Sequence, residues 1–329
     1  MSTPILSASA SVPEVIHAFL AYKRSLNRQY ATEESALRRL ERFLADSRIQ
    51  TLAAVTSRDI DCFLASRPRA KPQSYNHLLG VLQRFFAWLV IQDIVATTPV
   101  TASPRRNSGQ RLPYLFNLAQ ARRLLEVARQ LPDRAKGPHR GLIYETIFAL
   151  LYGLGLRVGE VARLKVCDLD LARDVLLIRQ TKFAKDRLVP FGPSMATRLK
   201  RYLAEHFGTS SPEVSQPLFS FTQGRAVNPE TISLSFHALL PKLALESRPG
   251  VASPRLHDLR HSFAVGTLTR WYREGIDPNT RLLHLATFLG HADPASTAVY
   301  LTVTSELLDL ASKRFRDMTH LSAPPGEPS

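Results

Sequence analysis

Four short segments in the second half of the chain concentrate side chains able to do chemistry: YGLGLRVGE (152–160), RQTKFAKDRLVP (179–190), RLHDLRHSF (255–263) and LGHADPASTAVY (289–300). They supply Arg157, Lys182, His257, Arg260, His291 and Tyr300 in that order, with nine residues from His291 to Tyr300. Arginine stays charged at any working pH and offers a planar fork to a pair of oxygens. Arg157 and Arg260 therefore suit the non-bridging oxygens of a phosphodiester under attack, where charge builds and must be stabilised. His291 can add a hydrogen bond to the same phosphate, and His257, with an ordinary pKa near ~6.5, can accept or share a hydroxyl proton. Singly, each residue has a plainer reading. Arg157 can pair with Glu160 or Glu145, Lys182 can be solvated in a polar turn, and Tyr300 can be a core tyrosine with a bonded hydroxyl. His257 and His261 stand at i and i+4, but the residues between them lack the glutamate of H-E-x-x-H and no cysteine is near, so no metal is expected. The GLG at 153–155 lacks the third glycine of a nucleotide-binding loop.

Taken together, in this order and with this His–Tyr gap, the segments resemble the tyrosine recombinase family, the phage integrases and the Xer-type resolvases of chromosome dimers. The resemblance covers both halves of the chain, although its motifs all lie within 152–300. It implies that Tyr300 is a nucleophile forming a 3′-phosphotyrosyl ester, with Lys182 as the acid that protonates the departing 5′ oxygen. Arg157, Arg260, His257 and His291 complete the implied catalytic set. Glu160 falls where the family often has a carboxylate that orients its neighbours. The implied activity is site-specific recombination for integration, excision or transposition of a mobile element or for resolution of DNA, with no cofactor, metal or ATP. The implied partner is double-stranded DNA bearing a recombination site, bound by a homotetramer or heterotetramer joined through a C-terminal helix at 304–317. Two alternatives share the fold or the chemistry: a catalytically silent DNA-binding accessory protein and a type IB topoisomerase. The 30 residues between Arg260 and His291 exceed those of compact members, the excess falling in 266–284.

The elements that must hold these residues can be read from periodicity. Residues 12–93 read as four helices, the last with Leu78, Leu79, Leu82, Phe85, Phe86 and Leu89 on one stripe and the second with Leu37, Leu40 and Leu44. Thr56 with Asp59 resembles a capping pair, as does Asn117 with Gln120. Between them, 97–113 (TTPVTASPRRNSGQRLP) reads as an extended linker that could reach about 55 Å. A switch of period at 174–191 marks two short strands, DVLLIR and DRLVPF, around a polar turn holding Lys182 and Lys185. Helical patterns return at 193–207, 229–245, 255–274, 280–289, 295–301 and 305–316.

The expected fold class is mainly α: a helical N-terminal core-binding domain (1–96), the linker (97–113) and a mixed α/β, mostly helical catalytic domain with a small antiparallel sheet (114–321). A disordered tail (322–329) is expected to follow.

Composition agrees with a globular nucleic-acid binder. The 329 residues are 44% hydrophobic and carry 43 Lys+Arg against 28 Asp+Glu, a formal charge of +15, so cores are affordable and a polyanionic partner is expected. The excess is +7 over residues 1–111 and +8 over 112–329, and 34 of the 43 cations are Arg. In the first half Arg38, Arg42, Arg69, Lys71, Gln73, Asn76, His77 and Arg84 lie off the apolar stripes and are candidate DNA contacts, with Lys185 in the second half. The first 21 residues lack a basic n-region and the longest apolar run, Ile147–Leu156, is too short to span a bilayer. Cys62 and Cys167 form no disulfide framework. A cytoplasmic, nucleoid-associated protein without membrane contact is expected.

Overall fold

The structure, a computed structural model, describes residues 10–26, 30–66, 68–106, 112–135, 137–179, 186–208, 212–222, 224–246, 250–291, 295–298 and 300. The chain divides into two compact units, Met1–Gln110 and Arg111–Ser329.

Helices α1 (Val12–Ser25), α2 (Ala31–Asp46), α3 (Ser57–Ala65) and α4 (Pro72–Ile91) build the first unit. Their apolar stripes meet in one core in which Ile16, Phe19, Leu37, Leu40, Leu82, Phe85, Phe86 and Leu89 are fully buried. At the start of α3 the Asp59 carboxylate accepts from the Thr56 backbone N–H (2.9 Å) and hydroxyl (2.7 Å), closing the capping box. Residues 97–106, expected to begin the linker, pack on this unit instead. Val100 is buried and Ala102 lies against the core. Asn76 donates to the Arg105 carbonyl (2.8 Å) and accepts from its N–H (2.7 Å), while the Arg105 guanidinium stacks 3.9 Å from the Tyr75 ring centroid. A side-chain amide that matches both backbone groups of one residue supplies the pairing an extended strand otherwise lacks.

The second unit is built around α6 (Arg140–Gly153), whose residues 141–151 are all buried. Its one carboxylate, Glu145, is held by the guanidinium groups of Arg198, Arg201 and Arg129. Around α6 lie α5 (Leu118–Arg129), capped by Asn117 and Gln120, then α7 (Val158–Ala162), α8 (Pro193–Phe207) and α9 (Pro229–Leu239). A three-stranded antiparallel sheet runs β1 (Leu169–Asp170), β2 (Val175–Ile178), β3 (Arg187–Pro190), with Leu176 paired to Val189 and both fully buried. A second antiparallel pair, β4 (Ser220–Thr222) and β5 (Arg225–Ala226), and strand β1 are too short to leave a period-two signal in the sequence.

Two further helices carry the C-terminal motifs. α10 (Asp258–Arg273) begins three residues later than its sequence pattern suggests, and α11 (Pro278–Leu289) two residues earlier, because Asp277 caps it through the Asn279 N–H and Pro278 takes the first position. The long stretch between Arg260 and His291 thus lengthens α10, turns at Gly275 and opens α11. A helical turn, Ala295–Ala298, precedes Tyr300. No helix among the described residues is long and apolar enough to cross a membrane, and both cysteines are exposed thiols.

Candidate active site

The C-terminal end of α11 organises the site. Gly290 adopts φ 69°, which lets the His291 N–H reach the Ala286 carbonyl (2.9 Å) and the Gly290 N–H reach Thr287 (3.0 Å), a Schellman closure. Three carbonyls remain beyond that closure, and each meets an arginine from another element. Arg187 Nε of β3 donates to Phe288 (2.9 Å), Arg260 Nη2 of α10 to Leu289 (2.7 Å) and Arg157 Nη2, ahead of α7, to Gly290 (2.8 Å). Cations at a helix C-terminus also complement its dipole.

Each arginine is tied at its other end. Arg260, 1% exposed, donates through Nη1 to the Gly155 carbonyl (2.6 Å). Burial, followed by the charge of Arg157, pulls its pKa down to about 10, so it remains charged at neutral pH. Gly155 at φ 60° is required there: a Cβ would stand 2.5 Å from Phe263 Cδ1 and 2.9 Å from Leu289 Cδ2. Arg157 donates to Glu160 through its backbone N–H (2.9 Å) and Nη1 (2.8 Å). Arg187 grips the same carboxylate with both terminal nitrogens, at 2.9 and 2.8 Å. Glu160 is buried, which alone would raise its pKa, but the hydrogen bond and charge of Arg187, then Arg157, hold it down to about 2.

The histidines surround Tyr300. Its hydroxyl lies 2.9 Å from Nδ1 of His261, not at His257, the residue expected to share its proton. His257 precedes the first turn of α10, its ring 4.7 Å from that of His261. Part of it is exposed, yet desolvation by its neighbours, with the charges of His261, Arg260 and Arg157, draws its pKa to about 4. Desolvation also lowers His261, against the opposing pull of Asp258, whose buried carboxylate lies 4.0 Å from Nε2. His291 is bonded through Nδ1 to the hydroxyl of fully buried Thr297 (2.6 Å), and burial plus the three arginines bring it to about 4. Tyr300 is 5% exposed; burial raises its pKa, opposed by Arg260 and Arg157. At neutral pH the recess therefore holds neutral imidazoles, a protonated phenol and charged guanidinium groups, a setting for transfer of an anionic phosphoryl group to a hydroxyl.

The structure thus gathers Arg157, Glu160, His257, Arg260, His291 and Tyr300. Lys182 and Lys185 lie outside the described residues, as do the helix at 304–317 and the tail at 322–329. Arg187, His261 and Thr297 were not foreseen as site residues. For Arg187 the signal was there: it shares a strand face with buried Val189, while Leu188 between them is 66% exposed, an inverted pattern of charge inside and leucine outside.

In the first unit Lys71, just ahead of α4, and Gln73, His77 and Arg84 along it are exposed, as is Arg42 on α2. Arg38 is paired with Glu34 and Glu41, and Arg69 accepts at its carbonyl from Arg105. Asn76 is committed at both ends of its amide to Arg105, which leaves it unsuited to read a base edge.

Residues 116–306 match the phage integrase family. A protein of Sinorhizobium fredii described as an integrase/recombinase is 36% identical over 253 residues, 76% of this chain and 81% of that one. The tyrosine recombinase XerD of Lacticaseibacillus casei is 30% identical over 255 residues, 76% of this chain and 79% of that one. Among solved structures, the Tn1549 transposon integrase in complex with transposon right end DNA shares the fold at a TM-score of 0.64 and 18% identity, covering 95% of this chain and 100% of that one. A lambda integrase dimer bound to a COC′ core site does so at 0.62 and 19%, covering 89% and 77%.

Proposed function

Since the chain belongs to the phage integrase family and is a tyrosine recombinase, we propose that it breaks and rejoins DNA at a specific site through a covalent bond between Tyr300 and a 3′ phosphate. The Tyr300 oxygen bonds to phosphorus as the bond from phosphorus to the 5′ oxygen breaks. The phenolic proton passes to Nδ1 of His261, 2.9 Å away, whose other nitrogen faces the Asp258 carboxylate. The departing 5′ oxygen takes a proton from Lys182. Arg157 and Arg260 stabilise the charge on the non-bridging oxygens, and His291, held by Thr297, adds a hydrogen bond. One phosphoester replaces another, so a 5′ hydroxyl from a partner strand can reverse the step without external energy.

The observation that carries the reading is the meeting of three separate segments: Arg157 and Arg260 both bind the end of α11 that leads into His291, and Tyr300 bonds to His261, one residue after Arg260 on α10. DNA would meet both units: the exposed residues Lys71, Gln73, His77 and Arg84 at the start of and along α4, with Arg42, Arg38 and Arg69, in the first, and the site with Lys185 in the second. The solved relatives are themselves a transposon integrase on transposon end DNA, a lambda integrase dimer on a core site and a lambda integrase tetramer on a Holliday junction. We extend to this chain the same partner and a tetramer joined through 304–317, serving integration, excision or transposition of an element or resolution of DNA.

Incubation with a nicked suicide duplex carrying the protein's recombination site, followed by SDS gel analysis, tests the reading. A covalent adduct with the wild type, absent in Tyr300→Phe, is expected. No adduct on DNA that the wild type binds, or an undiminished adduct in Tyr300→Phe, overturns it.

A further inference from the structure

Of the three arginines at the end of α11, Arg187 differs from the other two in how its donors are used. Arg157 spends one terminal N–H on Glu160 and one on Gly290, and Arg260 spends one each on Gly155 and Leu289. A guanidinium has five N–H groups, so both retain donors for a phosphate. Arg187 instead commits all three nitrogens to protein, Nε to the Phe288 carbonyl and Nη1 and Nη2 to the two oxygens of Glu160, with its side chain 9% exposed. It also lies across Gly290, where a Cβ would stand 2.7 Å from Nη1.

Resting on the recombinase reading above, we propose that Arg187 is a positioning residue for strand cleavage: it fixes Glu160, and through it Arg157, in register with the end of α11 that presents His291. The chain of contacts is continuous. Arg187 and Arg157 share the Glu160 carboxylate, Arg187 and Arg157 bind carbonyls two residues apart, and His291 follows the second of those carbonyls directly. Glu160 has one buried carboxylate and two guanidinium partners, so losing Arg187 leaves it to swing with Arg157 alone. A lysine cannot replace the fork: it offers a point charge and no planar pair of donors with a third at Nε.

The test compares Arg187→Lys, Arg187→Met and the double variant Arg187→Met with Glu160→Gln, which removes both charges together and so avoids a buried unpaired carboxylate. Three quantities are read: affinity for the recombination site, single-turnover rate of adduct formation, and the His291 imidazole signals by NMR without DNA. The expected result is affinity within about threefold of wild type, a cleavage rate at least about 30-fold lower in all three variants, and a double variant no more than about threefold slower than Arg187→Met. The His291 resonances shift in each variant while those of His77, in the first unit, stay in place. An Arg187→Lys protein that cleaves within about threefold of wild type, a cleavage loss matched by an equal loss of DNA affinity, or unmoved His291 signals would overturn the proposal. If the wild type itself forms no adduct, the recombinase reading fails, and the NMR comparison still decides the positioning role.

Discussion

His261 and Tyr300 show how a residue's neighbours decide its chemistry. Burial raises the phenol's pKa, so as the proposed nucleophile Tyr300 would start protonated and need a base; burial lowers His261, so it is neutral and able to accept. Replacement of His261 by Ala is expected to slow adduct formation about 10²-fold or more, the usual scale for a lost general base, with site affinity kept. Because a depressed pKa keeps the imidazole neutral, the single-turnover rate should stay level as pH falls through 6.5, the ordinary histidine value, and decline only below it. A decline centred at or above 6.5 would remove His261 from the role. Stability has its own pH window, from the same physics. His206, His257 and His291 sit near 4 when folded and near ~6.5 when unfolded, so below about 6.5 the unfolded chain binds protons that the folded chain refuses. Thermal melts should therefore show constant stability above that pH and a progressive loss from about 6.5 down to 4. Glu160, held near 2, contributes its full stabilisation above 4.5 and loses it progressively from there down to 2, so its loss adds to the slope only at the acid end of that window and continues below it. His206→Gln should flatten part of the slope without touching cleavage, since His206 lies on α8 beside Tyr202 and outside the site.

Helices were the legible elements because each writes its own period. The stripes of α2 and α4, the Thr56 and Asn117 caps and the hairpin strands need only local spacing, and the structure places them where that spacing falls. Six residues of the site could be named because the family resemblance orders them along the chain. What joins them could not be read. Arg157 reaches Gly290 across 133 positions, Arg260 reaches Gly155 across 105 and Arg187 reaches Phe288 across 101, and a backbone carbonyl acceptor leaves no trace in residue type. Glycine is the partial exception, since a close approach forbids a side chain. Gly155→Ala forces a positive φ on an L-residue and drives its Cβ into Phe263 and Leu289, a combined cost of about 2–5 kcal/mol. Because the same peptide accepts from Arg260, the folded fraction of that variant should also cleave slowly, and restored cleavage at low temperature would show that only stability was lost. Gly266, where a Cβ meets nothing within 4 Å, is the control, with a Gly266→Ala change expected to be neutral or slightly stabilising.

At the scale of the whole molecule, the even charge of the two halves fits the proposal that both meet DNA, and under that proposal the length of chain between them bears on how tightly they cooperate. Seventeen residues of extended chain would span about 55 Å, but residues 97–106 are pinned to α4 and Leu112 is already hydrogen-bonded to Ala252 in the second unit. Residues 107–111, outside the described residues, lie between the two, and a stretch of that length can reach about 20 Å at most. For two binding halves joined by a tether, the effective concentration of one at the other's site falls roughly as the −3/2 power of tether length. Asn76 is therefore predicted to matter for DNA affinity without touching DNA. Asn76→Ala removes both hydrogen bonds to Arg105, and trypsin should cut after Arg105 and Arg106 faster than in wild type. Lengthening the tether from five residues to about fifteen should weaken site binding only about fivefold. Separate halves, 1–106 and 112–329, should each bind at least about 100-fold more weakly than the intact chain, because the second contact then has to be made from solution. Equal affinity of either half and the whole would show that the charge on the other half serves solubility, and the pinning of 97–106 would then be a matter of folding alone.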